Sequence, residues 1–349
     1  MIAWTKTKNR GLREQEGVAL VITLVVVTIL ATLLVELTHS THVNVRIAAT
    51  FRDDLGAYYV ARSGIELALA VLRMDFEDDQ EDVEQGKQKG REDNLGELWA
   101  TLGEAVASAQ MLEPELFSGG RLLIRIVDED RKINVNLINQ DSTAPLIERL
   151  FEELEIAQDF RNALADWIDE DQEERYPGGA ESRYYESLDI PYPCKDGPMD
   201  TISELRMVKG GEEALKKAFE TLEGESGAVD QTWNLEGLLS TAPGRGPNIN
   251  VNTAPGPVIL ALHDDIDRVH AQEAVGDRAA DPFPRVDAFR DYFNNNFGIS
   301  DLPPHLTVHS EYFSIESVGV VGEVEKRLLV TVRRDPNNGA LELISWRVE

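Results

Sequence analysis

Four carboxylates, Asp166, Asp169, Asp171 and Glu181, fall within one short segment, DWIDEDQEERYPGGAE, which follows an apolar helical pattern and includes a Gly178-Gly179 turn. Converging around that turn, hard oxygen donors of this kind suit Ca2+. The spacing is not that of an EF-hand. With Glu181 at the twelfth loop position, Glu170 stands at the first, Gln172 at the third and Arg175 where the glycine belongs. By spacing alone a solvated acidic loop is the favoured reading over a metal site. Tyr176, Tyr184, Tyr185, Tyr192 and the neighbouring prolines favour a packed irregular segment, and with it the metal.

Other chemistry is sparse. Cys194 is the single cysteine, so no disulfide forms within the chain, and a lone thiol is a poor zinc site. The six histidines form no HExxH pair, and there is no P-loop, GxSxG or GxGxxG signature. No catalytic residue is assigned, and the chain reads as a non-enzyme. A formal net charge of −29 repels nucleic-acid phosphates, so nucleic acid is not an expected partner.

These residues must be positioned by the rest of the chain, which begins with a membrane signal. Residues 18–35 carry no charge, and 13 of these 18 are Val, Leu or Ile. As a helix they span about 27 Å, near the ~30 Å hydrocarbon core. Their insertion is favourable by about 4–8 kcal/mol, which outweighs three Thr and two Ala. Lys6, Lys8, Arg10 and Arg13 precede the run, which keeps the N-terminus cytoplasmic and sends the remainder across the membrane. No A-x-A-like cleavage site follows it. Val43, Ile47, Phe51, Leu55, Tyr58, Ile65, Leu69 and Leu72 then continue one helical stripe. Residues 18–72 therefore read as one helix, apolar all round and then amphipathic, with only Gly56 and Gly64 against it.

Residues 75–97 are strongly acidic and read as an exposed loop. A strand is expected over 121–130, helices around Leu146–Leu154 and Phe160–Ile168, and a helix at ISELRMVKGG (202–211) ended by glycine. Three antiparallel strands close the chain. The tetrapeptide Ile-Asn-Val-Asn occurs twice, from Ile133 and from Ile249, each time before a helical pattern. The matched helices favour two related modules over coincidence, with Asn turning the chain into each helix. The second stretch resembles helix-hairpin-helix and SAM-like modules. Its hairpin reads His263-Asp264-Asp265-Ile266-Asp267, without glycine and with three carboxylates, so the phosphate site of such modules is lost.

The long N-terminal helix resembles the type IV pilin and pseudopilin superfamily, in which a prepilin peptidase cuts after a glycine and methylates the new N-terminus. The matching positions are Gly17 and Val18. The superfamily's glutamate at the fifth mature position is Ile22 here, as suits a subunit with nothing above it. With YYVARSGIELAL (58–69), LADWIDED (164–171), GGAESRYY (178–185), SELRMVKG (203–210) and INVNTAP (249–255), the chain resembles the minor pseudopilin K family of type II secretion.

That resemblance implies an α+β fold: a pilin-like helix on an antiparallel sheet, with a large inserted helical domain. The expected plan is a cleaved leader (1–17), the pilin helix (18–73), an acidic linker and helix (74–120) and a strand of the pilin sheet (121–139). Two SAM-like modules (140–247 and 248–300) and the C-terminal strands (301–349) follow. It further implies bound calcium, partners in the minor pseudopilins I and J and the major pseudopilin, and contact with secretion substrate or the outer-membrane channel. The expected location is the inner membrane, single-pass, with the C-terminal part periplasmic at the tip of a pseudopilus. The alternatives are a minor type IV pilin of an adhesion or DNA-uptake system, and a signal-anchored periplasmic enzyme.

Overall fold

The computed structural model describes residues 11–84, 92–112, 120–225 and 235–349, without the side chains of 11–17, 81–84, 112 and 223–225. Lys6, Lys8 and Arg10 lie outside the described residues, and so do the side chains of Arg13 and the Gly17 position. Helix α1 (Gly11–Glu84) is 74 residues long, about 110 Å. Val18 through Val35 are exposed all round, as a segment dissolved in lipid requires.

Four strands form an antiparallel sheet in the order β1 (Gly120–Asp128), β6 (Tyr312–Val321), β7 (Val324–Arg334), β8 (Leu341–Val348). Helix α2 (Leu98–Leu112) packs on β1 and α1. The second half of α1 lies across β6, β7 and β1, burying Ala57, Ala61, Ile65, Ala68 and Leu72 at helical spacing. Small residues dominate because the backbones nearly touch. A Cβ on Gly319 of β6 would sit 2.1 Å from the Ala57 carbonyl, and one on Gly64 would sit 2.2 Å from Ser317 Oγ. The stripe expected at Val43, Ile47, Phe51 and Leu55 is exposed instead: the end of the sheet meets α1 from about Asp53, Asp54 and Gly56 onward, so the first three lie before it and Leu55 at its edge.

Two further expectations give way here. The pilin helix continues beyond residue 73 to Glu84, and among the described residues of the acidic stretch 75–97 the first part is this helix and Glu92 and Asp93 are buried. Residues 85–91 lie outside the described residues. The strand expected over 121–139 ends at Asp128, and KINVN belongs to the insert.

The insert leaves β1 and returns at β6, its immediate neighbour, where Asp128 pairs with Phe313 and the Glu129 N–H donates to the Tyr312 carbonyl at 2.8 Å. Its elements are β2 (Ile133–Asn134), α3 (Ala144–Glu153), α4 (Gln158–Ile168), α5 (Ser182–Tyr185), α6 (Gly211–Glu225), α7 (Leu235–Leu238) and β3 (Leu239–Ser240). There follow β4 (Ile249–Asn250), α8 (Gly256–Leu260), α9 (Arg268–Ala280), α10 (Val286–Phe297) and β5 (Leu306–Thr307). Pro145 opens α3, whose Leu146, Ile147, Leu150 and Phe151 face inward. Gly298, at φ 75°, closes α10. ISELR is a single 3-10 turn, not a helix ended by glycine. Gly210 has φ 79°, and a Cβ on Gly211 would lie 1.7 Å from the Leu205 carbonyl, so this glycine pair starts α6. One core runs from Ile133 to Val308 and joins both expected modules; a second lies between α1, α2 and the sheet.

Candidate functional site

The acidic segment is built on the last turn of α4. Asp166 is fully buried, and its carboxylate is already occupied. Oδ1 accepts from Arg175 Nη1 at 2.6 Å, while Oδ2 accepts from the backbone N–H of Arg175 at 3.1 Å and of Ala180 at 2.9 Å. Asp166 thus shapes the loop instead of facing an ion. A Cβ on Gly179 would fall 2.3 Å from Asp166 Oδ2, and Gly178 sits at φ 80° with Asp159 against it, so each glycine of the pair has its own reason. Asp169, beyond the helix end, also accepts from Arg175.

Asp169, Asp171 and Glu181 do converge, offering ligand oxygens within 4.8 Å of one another. Glu181 is 2% exposed, yet neither of its oxygens meets a hydrogen-bond donor, and Asp169 Oδ1 meets none either. Burial, with Asp166, Asp169, Asp196 and Asp171 nearby, pushes Glu181 up to about 8. Such a carboxylate is costly unless a proton or a cation neutralises it. Three hard oxygen donors with unused lone pairs fit Ca2+. Two residues beside this cluster went unmarked in the sequence as part of it, Cys194 and Asp196. Burial and the neighbouring Asp196 raise the Cys194 thiol to about 12. Nothing in their spacing signals the approach, because a turn and α5 lie between them and α4.

The repeated tetrapeptide has the same job twice. Ile133-Asn134 pairs in parallel with Leu239-Ser240, and Ile249-Asn250 with Leu306-Thr307. Asn134 and Asn250 each accept from the N–H two residues on, at 3.1 and 2.9 Å. Asn136 grips both backbone groups of Met199, donating to its carbonyl at 3.0 Å and accepting from its N–H at 2.7 Å. Asn252 grips Phe283 in the same way, with both bonds at 2.9 Å. In the hairpin after α8, Asp267 caps α9 through the His270 N–H and Asp264 pairs with Arg149, so two of its three carboxylates have structural work.

Between the two cores lies a buried polar joint. Asp128 accepts from Ser310 Oγ at 2.6 Å and from Thr253 Oγ1 at 2.5 Å, and burial with Asp130 alongside raises it to about 7. Asp130 takes the Arg245 Nε at 2.8 Å and the backbone N–H groups of Glu311 and Tyr312. Burial alone would raise Glu129, but the Lys132 ammonium and the hydroxyls of Ser240 and Ser314 hold it below the usual range. Arg334 reaches from β7 to Asp75 at 2.9 Å and also donates to Asp93, tying the end of α1 and the acidic stretch to the sheet.

Two family models match the chain, both described as Type II secretion system (T2SS), protein K, over residues 131–222 and 249–316. Relatives named type II secretion system protein K agree over nearly the whole length. The one from Pseudomonas aeruginosa is 29% identical over 334 residues, covering 92% of this chain and 90% of that protein. The one from Aeromonas hydrophila is 24% identical and covers 93% and 95%. The family models and these relatives agree on a single likeness, to type II secretion system protein K. Among solved structures, the GspK-GspI-GspJ complex of enterotoxigenic Escherichia coli contains a chain that matches with TM-score 0.60 at 19% identity, covering 88% of this chain and 99% of that one. At that identity the likeness is one of fold: long helix, antiparallel sheet and helical insert. The two stretches matched to the protein K family begin at 131 and 249, at or beside the two Ile-Asn-Val-Asn turns. The acidic cluster with Cys194 and Asp196 lies inside the first.

Proposed function

We propose that this chain, a minor pseudopilin of type II secretion, caps the tip of a periplasmic pseudopilus and helps to start its assembly. The observation that carries the reading is the joining of two parts. One is an exposed apolar helix able to cross a bilayer; the other is a bulky insert mounted at the far end of the sheet that packs on that helix. The helix anchors the chain in the inner membrane, N-terminus inside, until assembly draws it into a bundle of like helices. A prepilin peptidase cuts after Gly17 and methylates Val18. Ile22, apolar where the superfamily has glutamate, suits a subunit with no amino terminus above it to neutralise. The neighbour in the solved complex supports minor pseudopilins I and J as partners, with the major pseudopilin below. The role is mechanical and uses no catalytic residue. Ca2+ held by Asp169, Asp171 and Glu181 stiffens the insert.

The adjacency of β1 and β6 supplies the test. Replacing residues 131–309 by a short glycine-containing turn closes these strands as a hairpin and leaves the pilin core intact. In labelled pseudopili the shortened protein is expected along the fibre. Placement still restricted to the tip overturns the capping role.

A further inference from the structure

A cavity of about 490 Å3 opens where three parts of the chain meet: the end of α1 (Phe76, Asp79), the sheet (Tyr312, Arg334) and a turn of the insert (Gly244, Gly246). Its size suits a small organic ligand. The two glycines keep it open. A Cβ on Gly246 would meet nothing within 4 Å, and the atom nearest one on Gly244 is Tyr312 Oη at 3.5 Å.

Two polar groups of the wall are unused. Tyr312 is only 7% exposed, and its backbone N–H and carbonyl are bonded to Asp130 and Glu129. Among the described residues its hydroxyl makes no hydrogen bond, although it lines the cavity. A phenol buried to this degree ordinarily has a partner for its O–H. Asp79, on α1, makes no hydrogen bond or ion pair among the described residues. The cations of the wall are committed. Arg334 serves Asp75, Asp93 and the Ser310 carbonyl, and Arg333 faces Glu311. Asp130 is held by Arg245 from behind. With these paired, Asp79 and one of the two carboxylates that share Arg334 remain in excess. The cavity therefore repels anions and favours a cation, while Phe76, Pro336 and the Tyr312 ring offer apolar surface for its stem.

We propose that this cavity binds a free aliphatic diamine, one ammonium donating to Asp79, the other to Tyr312 Oη, with the methylene chain along Phe76 and Pro336. The site shares no residue with the acidic cluster after α4, and it stands apart from the capping role. Its occupant touches α1, the sheet and the insert at once, so binding holds the three together.

The test is calorimetric titration of the full chain in nonionic detergent with diaminopentane, at about 0.15 M salt. One equivalent is expected to bind. Tyr312→Phe and Asp79→Asn are each expected to weaken binding about tenfold, as loss of one hydrogen bond to a charged group does. Neither is expected to lower the melting temperature of the ligand-free chain, because neither removes a bond made in the fold. Glu212→Gln, at an exposed carboxylate outside the cavity, should leave the affinity unchanged. No binding, or equal weakening in all three variants, marks mere condensation of cations on an acidic surface and overturns the site. A fall in the ligand-free melting temperature of Tyr312→Phe shows a hydroxyl already bonded and does the same. Pentylamine and Nα-acetyl-lysine amide, with one ammonium each, are expected to bind about tenfold more weakly than the diamine; equal affinity for the capped lysine refutes a free diamine as the occupant.

Discussion

Gly319→Ala isolates the contact between the long helix and the sheet. The new methyl would lie 2.1 Å from the Ala57 carbonyl and 2.6 Å from the Ala61 N–H nitrogen. Both neighbours are backbone, so no side chain can swing aside, and α1 must retreat by about 1 Å. Overpacking of this kind costs about 1–3 kcal/mol. The retreat also stretches the 2.7 Å bond from Ser317 Oγ to the Ala61 carbonyl, costing about 1 kcal/mol more. Alanine's smaller unfolded-state entropy returns about 0.4–1 kcal/mol. The expected net loss is about 1–3.5 kcal/mol. Gly276→Ala is the control: it lies inside α9 with nothing within 4 Å, and is expected to gain about 0.5–1 kcal/mol. Urea midpoints and hydrogen exchange on the full chain in detergent measure both. Exchange should quicken in β6 and stay unchanged in α4. If Gly319→Ala matches Gly276→Ala to within about 0.5 kcal/mol, the close approach of α1 to β6 is refuted.

Three other perturbations bear on the polar groups. Asn252→Ala orphans both backbone groups of Phe283 and should cost about 2–4 kcal/mol; the half-buried Asn136→Ala should cost less, and equal urea midpoints would deny that burial sets the difference. Arg334→Met leaves Asp75 and Asp93 without counter-charge, an expected loss of about 3–5 kcal/mol at neutral pH. Burial and Asp93 already raise Asp75 to about 6, and burial with Asp75 raises Asp79 to about 7. A raised carboxylate stabilises the fold most below its ordinary pKa and loses that contribution as pH climbs through the raised value. The deficit of the variant should therefore shrink toward pH 5, and a deficit independent of pH contradicts this account. In chelator, Glu181 holds a proton in the fold up to about 8, so the melting temperature should fall between pH 6 and pH 9. Excess Ca2+ should suppress that fall by replacing the proton, and Glu181→Gln should flatten both curves; curves unaffected by either change exclude a neutralising ion at Glu181.

What could be read in the sequence is what repeats locally. The apolar run at 18–35, the spacing of Leu146 to Phe151 and the alternation in the last three strands each reflect one element's own period. Long-range partners leave no such trace. The acidic stretch after Asp75 looks solvated because its cation, Arg334, is far along the chain. Val43, Ile47, Phe51 and Leu55 keep the right spacing, but whether a stripe is covered depends on how far the sheet extends. Gly210-Gly211 resembled a helix stop because a positive φ ends a helix as readily as it begins one. The Ile-Asn-Val-Asn repeat was visible, while its use, a side-chain amide gripping a distant backbone, was not. Of the four acidic residues, three converge and Asp166 is spent on backbone amides. Cys194 and Asp196 complete the cluster from a loop that only the fold brings near.

The separation of the two cores bears on how the insert can act. Apolar contact is non-directional, so a purely greasy seam would let the insert rock against the sheet at little cost. The seam here is made of Asp128, Asp130, Arg245, Asn250, Thr253 and Ser310, all buried and mutually bonded. Hydrogen bonds weaken steeply with angle, and a buried donor or acceptor that loses its partner costs about 1–3 kcal/mol. Rotation of the insert by even a few degrees strains several such bonds together. An apolar seam of equal volume would be about as stable or more so, which leaves orientation as the property the polar seam adds. A steric cap works only while its bulk stays in line with the helix it caps. A chain tethered by two adjacent strands would swivel without such a layer, and Arg334 extends the same bonding to Asp75 on α1 itself.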